Sequence, residues 1–430
     1  MTVPAPHAPS RFVRACLRQP VDRTPVWLLR QAGRYMPEYM AVRKHHSLLE
    51  ICRTPDIAAE VTITAAERLG VDAAIIFADL LLPFTPMGLD FEFVNGEGPV
   101  VRTPVRTLEH IQALRTDRTD DLRYVADAIS RVAKHFSAPR PPESPGSDPA
   151  GACGSAVQDQ LGIIGFIGAP FTLASYMIEG GSSRNYIETK RLMYASGVAT
   201  PPSPHLSPLA EEANSALSSR PEHAWHPEEL ANLQPVTDSS TAWPLLMAKL
   251  LDVLTAYAAQ QVEAGADVIQ IFDSWAGALS PTDFRQYVLP YTTELVHRVQ
   301  ALGVPVILFG VDTATLLPLM RETGADVIGL DWRIPLDQGW RAIGPNTAVQ
   351  GNLDPITLFA PPEIIKARTL EILALANHRP GHIFNLGHGI VPNTPVDNVV
   401  HLVDLIKRYG AHPQPARAAG EAASPWAIRA

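Results

Sequence analysis

PVWLLRQAGRYMPEY, residues 25–39, is the stretch from which the rest of the chain is read. The apolar run Val26–Leu29, entered through Pro25, has the length and composition of a short buried strand. Arg30 and Arg34 follow on a tight turn that contains Gly33. Two guanidiniums held this close form a rigid receptor for carboxylates or phosphates.

The same arrangement recurs outward from this stretch. Short apolar runs, each followed by turn residues and a helix-length amphipathic segment, lie at Val26–Leu29, Ala73–Phe77, Gly162–Ile167, Asp267–Phe272, Pro305–Phe309, Asp326–Leu330, Ala348–Gln350 and His382–Asn385. Strands alternating with helices imply parallel βαβ units, and eight such units predict a single (β/α)8 TIM-type barrel of the α/β class. An open doubly wound sheet is the alternative, but no Gly-x-Gly-x-x-Gly follows the first run. Glu263-Ala-Gly-Ala-Asp-Val-Ile269 returns as Glu322-Thr-Gly-Ala-Asp-Val-Ile328, a helix end meeting Gly and then a strand. Convergence on Gly and Asp at αβ joints explains this echo without invoking function. Ser10 reads as the cap of a helix over Arg11–Arg18, and a second helix covers Asp56–Leu69 until Gly70 stops it. FEFVNGEGPVV, residues 91–101, predicts a hairpin turning at Asn95-Gly96.

The 430 residues are 46% hydrophobic, enough for a sizeable core, and the formal net charge of -9 argues against a nucleic-acid partner. Residues 1–53 run the other way: eight Arg and one Lys against Asp22, Glu38 and Glu50, a local balance of +6. That asymmetry fits a local anion site or a solvated basic helix. Cys16, Cys52 and Cys153 show no metal-type spacing and fit a reducing cytoplasm. No signal-peptide h-region and no apolar run of membrane-spanning length is present, so no membrane partner is expected. Two Pro/Ser/Ala-rich stretches, about 137–157 and 196–244, are expected to be surface insertions in a barrel spanning 10–409, with short helices possible at Pro208–Leu217 and Glu228–Leu233. Residues 1–9 and 410–430 are expected to be disordered termini.

A barrel of this type carries its site at the carboxyl ends of the strands. There the chain places Arg30 and Arg34, Asp79, the segment Gly168–Tyr176, Asp273 to Gly277 with Ser274, Asp312, Gly351 to Pro355 with Asp354, and Gly387-His388-Gly389. Each has a plainer use: Asp79, Asp312 and Asp354 as helix N-caps, Arg30 in a structural ion pair, Tyr176 in the core, Ser274 as a cap, His388 in a loop. No Lys on or just after a run supports a Schiff base, and no Gly-x-Ser-x-Gly elbow or phosphate loop occurs. His45-His46 and the His382/His388 pair lack ligand partners at metal spacing. Arg capture of an anion, faced by one carboxylate, is the chemistry left.

PVDRTPVWLLRQAGRYMPEY (20–39), FADLLLPFTPMGLDFEFVNGEGP (77–99), GFIGAPFTLASYMIEGGSS (165–183), GADVIQIFDSWAGALSP (265–281), QGNLDP (350–355) and NLGHGIVPNTP (385–395) resemble the uroporphyrinogen decarboxylase family. The resemblance implies a (β/α)8 barrel that removes the four acetate carboxyls of uroporphyrinogen III in sequence. The products are coproporphyrinogen III and carbon dioxide, with no cofactor and no metal, in a homodimer. It implies that Arg30, Gln31, Ala32, Gly33 and Arg34 form a substrate-binding loop, that Asp79 faces the pyrrole N–H groups, and that Tyr176, Ser274 and His388 complete the substrate contacts. Arg43 is carried over as a further carboxylate ligand, and Arg30 is the candidate for the proton donor. Both insertions are longer than the family pattern. Two rivals stand beside this reading. A corrinoid-dependent methyltransferase shares the barrel, but its zinc-ligating His-x-Cys is missing here, and no Cys follows residue 153. A non-catalytic tetrapyrrole-binding protein would have no need of Asp79 opposite the Arg loop.

Overall fold

The computed structural model describes residues 9–94, 96, 98–137, 160–196 and 241–412. Seven parallel strands form one curled sheet: β1 (Ala73–Ile75), β4 (Gly162–Gly168), β5 (Val268–Asp273), β6 (Val306–Gly310), β7 (Val327–Gly329), β8 (Ala348–Gln350) and β9 (His382–Ile383), paired in that order. The hairpin β2 (Phe91–Val94) and β3 (Gly98–Val101) stands apart, with Val94 opposite Gly98 and Gly96 at φ +87° in the turn. Every expected run except the first is thus a strand.

The first run departs from expectation for a physical reason. Val26 makes a single parallel bridge to Phe384. The next amides leave the ladder for side chains: Leu28 N–H donates to Gln31 Oε1 at 3.2 Å and Leu29 N–H to Asn385 Oδ1 at 2.9 Å. Val26 N–H likewise donates to Asp72 Oδ2 at 2.8 Å. The segment is seated between its neighbours by side-chain acceptors, so all of its amides are satisfied without a regular strand.

The Gly-x-Asp echo turns out to be a joint. Asp267 Oδ2 accepts Ile163 N–H and Asp326 Oδ2 accepts Val306 N–H, each at 2.8 Å. Asp72, after Gly70-Val71, does the same to Val26. Gly70, Gly265 and Gly324 all have positive φ (+64°, +108° and +77°), the left-handed turn that ends the preceding helix. At each joint a carboxylate clasps the amide that begins the neighbouring stave. Arg11 and Arg23 close on Asp72 at 2.6–2.9 Å, so this joint is also a buried ion-pair cluster.

Inside the curl, Trp27 Nε1–H donates to Gln350 Oε1 at 3.0 Å, and Gln350 Nε2–H to Gln270 Oε1 at 3.3 Å. These bonds link the first run, β8 and β5 across the interior. Phe166, Phe272 and Phe309 pack edge to face along β4, β5 and β6, with centroids 5.5 and 6.0 Å apart. The 22-residue helix Ala242–Glu263 is long and apolar enough to cross a membrane, yet it buries Leu246, Leu250, Leu254 and Tyr257 against the core.

Boundaries shift at three places. The first helix runs Arg11–Cys16, capped by Ser10 as expected, and ends short of Arg18. Ser137 closes the helix Arg123–Ser137, and Ala242 to Pro244 belong to the long helix, where Trp243 is fully buried. An indole that packs into the core cannot sit in a loose insertion, so the second insertion ends earlier than 244. Residues 138–159 and 197–240, where Cys153 and the two expected short helices fall, lie outside the described residues, as do residues 1–8 and 413–430. Residues 410–412 are ordered: Ala411 bridges to Arg23, and His412 N–H donates to Asp22 O at 2.8 Å.

Candidate active site

The site is built where the first run leaves the sheet. Arg30 is exposed and has φ +59°, a left-handed conformation costing a non-glycine residue about 1–3 kcal/mol. The surrounding bonds hold it there: Leu29 N–H to Asn385, Ile390 N–H to Leu29 O at 2.9 Å and Gln31 N–H to Leu28 O at 2.9 Å. Gln31 is buried, and both ends of its amide are used internally, Oε1 by Leu28 N–H and Nε2–H by Ala73 O at 3.1 Å. It anchors the loop to β1. Ala32 and Gly33 are half-buried in the turn, and a Cβ on Gly33 would lie 3.1 Å from Arg30 O. Arg34 is exposed, and its charge acts with that of Arg43 on Tyr39, whose phenol burial pushes up. Arg43 is partly buried and donates to His46 O.

Asp79 follows β1 and is partly buried. Its Oδ1 accepts Leu81 N–H at 2.9 Å, so it does the work of a turn cap. Burial raises its carboxyl above the ordinary range, and the Leu81 amide and the Arg30 charge pull it back. The Arg30 charge is thus felt at the Asp79 carboxyl.

Tyr176 stands half-buried on the helix Pro170–Glu179. Burial, followed by the Asp79 charge, pushes its phenol up to about 12, with Trp275 and Arg30 opposing. It is a neutral hydrogen-bond donor that feels the Asp79 and Arg30 charges. Its ring meets Trp275 at 5.6 Å, and Tyr186 meets the same indole at 5.7 Å. Trp275 N–H donates to Thr172 Oγ1 at 3.2 Å, and Thr172 Oγ1–H donates to the buried Asp273 Oδ1 at 2.7 Å. Asp273 Oδ2 has no partner, and burial lifts this carboxyl to about 7. Ser274 is half-buried at the end of β5 and caps nothing: the turn behind it starts from Trp275, and Ser280 caps the next helix.

His388 is half-buried, and its Nδ1 accepts Gly389 N–H at 2.7 Å. Burial, then the Arg30 charge, lowers its pKa, so the ring is neutral with its proton on Nε2, a second uncharged donor near Arg30. Trp332 packs on it at 6.0 Å, and the Arg333 guanidinium lies 3.9 Å over the indole. Arg333 pairs with Asp312 at 2.8 Å and with the buried Asp331 at 3.0 Å. Asp312 is therefore an ion-pair partner, whereas Asp354 does cap its turn through Ile356 N–H at 2.9 Å. Asp331, Trp332 and Arg333 were not singled out in the sequence. They follow Leu330, the last residue of the run at β7, in the position that marked all the other candidates.

Among the described residues, no three His, Cys, Asp or Glu side chains form a metal-ligating group. The Arg30 charge is felt at Asp79, Tyr176 and His388, and the Arg333–Asp331 pair also acts on His388. That set can bind a carboxylate, hold N–H donors and stabilise positive charge on a ring between them.

The family model described as uroporphyrinogen decarboxylase (URO-D) matches residues 7–199 and 233–409. A protein of Koribacter versatilis named uroporphyrinogen decarboxylase is 54% identical over 403 residues, covering 94% of this chain and 97% of the relative. Relatives of the same name from Solibacter usitatus and Chloroflexus aurantiacus are 43% and 46% identical, covering 93% and 95% of this chain and 97% of each relative. Among solved structures, a methyltransferase from Methanosarcina mazei superposes with a TM-score of 0.65 at 20% identity, covering 93% of this chain and 98% of that one. That last likeness is one of fold alone.

Proposed function

The chain belongs to the uroporphyrinogen decarboxylase family, and from that premise we propose how its residues divide the work. It is a carboxy-lyase of tetrapyrrole biosynthesis. In this reading it removes the four acetate carboxyls of uroporphyrinogen III in turn, leaving methyl groups and the propionates of coproporphyrinogen III.

Breaking the C–COO⁻ bond leaves an electron pair on the acetate methylene. A pyrrole protonated at its α-carbon is an iminium-like cation that accepts this pair. Carbon dioxide leaves, and the methylene then takes a proton to become methyl while the ring returns its own. Asp79, ionised, holds the pyrrole N–H groups and stabilises the ring cation most strongly when its charge is greatest. Arg30 binds and orients the reacting acetate and is the candidate that delivers the proton. Tyr176, His388 through Nε2–H, and Ser274 donate to the remaining carboxylates, and Arg34 and Arg43 receive those that reach the outer loop. Gln31, Ala32 and Gly33 shape the loop. The observation that supports this reading is that the Arg30 side chain runs against Gly389, next to His388, with its charge felt at Asp79, Tyr176 and His388.

We read residues 10–409 as one (β/α)8 barrel with two insertions. Supporting it are the Val26–Phe384 bridge on one side of the first run and, on the other, the Asp72 clasp that repeats the Asp267 and Asp326 joints. We take the enzyme to be a cytoplasmic homodimer without nucleic-acid or membrane partners, in keeping with its net charge of -9. The test is anaerobic incubation with freshly reduced uroporphyrinogen, followed by chromatography by carboxyl number. Eight-carboxyl substrate should give way to four-carboxyl product; tight binding with no loss of carboxyls would make the protein a tetrapyrrole binder instead.

A further inference from the structure

We propose that Asn385 and Gly389 form a cradle that sets the Arg30 guanidinium opposite Asp79, which makes Asn385 a positioning residue for decarboxylation; the proposal rests on the roles given above to Arg30 and Asp79.

Asn385 is fully buried, and its Oδ1 accepts two amides, Leu29 N–H at 2.9 Å and Leu386 N–H at 2.7 Å. One of these immediately precedes Arg30. The other opens the turn that carries His388. From the far side of that turn, Ile390 N–H donates to Leu29 O at 2.9 Å. Residues 385–390 therefore grip both backbone groups of Leu29, and the chain enters its left-handed residue, Arg30, from a fixed point.

Gly389 supplies the channel. A Cβ there would lie 2.4 Å from Arg30 Cδ, 2.7 Å from Cγ and 3.0 Å from Nε. Gly389 is not among the positive-φ glycines, so its backbone does not demand glycine. The Arg30 side chain does, because it runs through the space a methyl group would fill. Asn385 Nδ2, meanwhile, is buried without a partner. Buried polar atoms are nearly always bonded. An amide kept with one end unsatisfied points to the other end, the acceptor that holds Leu29, as the reason for the residue.

The link to chemistry runs through Asp79. The titratable groups that act on it or feel its charge are Arg30, Tyr176, Cys52 on the helix Leu48–Arg53 and Tyr257 on the helix Ala242–Glu263. Of these only Arg30 is a cation. Displacing it takes the anchor from the acetate and the counter-charge from Asp79 together, so the acid limb of activity must move.

The experiment compares Asn385→Ala, Gly389→Ala and Arg30→Ala, with each of the first two also combined with Arg30→Ala, by kcat/KM for uroporphyrinogen across pH. Asn385→Ala and Gly389→Ala should each lower kcat/KM by about tenfold to a hundredfold, the scale of a misplacement near 1 Å. Both should move the acid limb to higher pH. In the Arg30→Ala background each should add less than about twofold, because residues acting through one group are not additive. Multiplicative losses, or an acid limb that stays put in both single variants, overturn the proposal. Gly389→Ala deletes no hydrogen bond and decides the matter alone if Asn385→Ala fails to fold. If Arg30→Ala leaves kcat and KM unchanged, the role assigned to Arg30 fails and the cradle falls with it.

Discussion

Asp79→Asn isolates the charge on which the proposed chemistry depends. The amide oxygen can still accept Leu81 N–H, so the turn after β1 keeps its bond. What goes is one negative charge beside the developing pyrrole cation. At about 4 Å and an effective dielectric of about 20, such a pair is worth about 4 kcal/mol. Removing a preorganised transition-state contact typically costs about 2.7–4 kcal/mol. Taking about 3 kcal/mol, kcat should fall about 10²-fold. Binding of the four-carboxyl product, which carries no ring cation, should weaken by less than about tenfold, the loss of one modest hydrogen-bond difference. Stability should move the other way. Burial raises the Asp79 pKa in the folded state, so this group favours the fold at low pH and loses that contribution as pH rises through its folded pKa. At neutral pH the ionised carboxylate weighs on the fold, and the Asn variant should melt at the same temperature or higher. Single-turnover carboxyl-number chromatography, product titration and thermal melts measure the three quantities. Equal losses in product binding and kcat, or a kcat within a few-fold of wild type, would refute the transition-state role.

Asp72→Ala leaves Arg11, Arg23 and the Val26 amide without their shared acceptor, and breaking a buried pair in this way should cost about 3–5 kcal/mol in urea unfolding; a loss under about 1 kcal/mol would mean that the joint is not structural. Asp273, lifted to about 7, makes stability fall as pH climbs from the ordinary carboxylate range to about 7 and leaves it level above that. Asp273→Asn should therefore flatten the melting-temperature profile over that window, and an unchanged slope would show that the group does not titrate there. Arg333→Ala removes the guanidinium over Trp332, beside His388, and its bonds to Asp312 and Asp331. It should raise KM with little change in kcat, whereas a large fall in kcat alone would place Arg333 at the reacting carbon.

The strands and most of the expected helix ends were legible in the chain because they depend on local signals. Gly70 stops its helix at φ +64°, and Ser10 caps Val13 N–H at 3.3 Å, as turn and cap chemistry require. The apolar runs became β1 and β4 to β9 because each is short, apolar and bounded by turn residues. Trp243 and residues 410–412 were misjudged because proline-rich and small-residue context says nothing about what a distant surface offers for packing. Asp331 to Arg333 escaped notice because Asp-Trp-Arg reads as an ordinary turn until Trp332 is seen against His388.

From residue order alone came the repeating βα grammar and the list of polar groups that must leave the staves at one end, since backbone periodicity and chain direction settle both. Residue order could not say which of those groups meet. The Arg30 charge is felt at Asp79 and the Arg34 charge at Tyr39, although only four positions separate the two arginines. Arg30 is left-handed, and the residue before it, Leu29, is held by Asn385, 356 positions away in the chain. Side-chain direction follows from such long-range bonds and from the space left at Gly389, and these exist only once the staves are assembled.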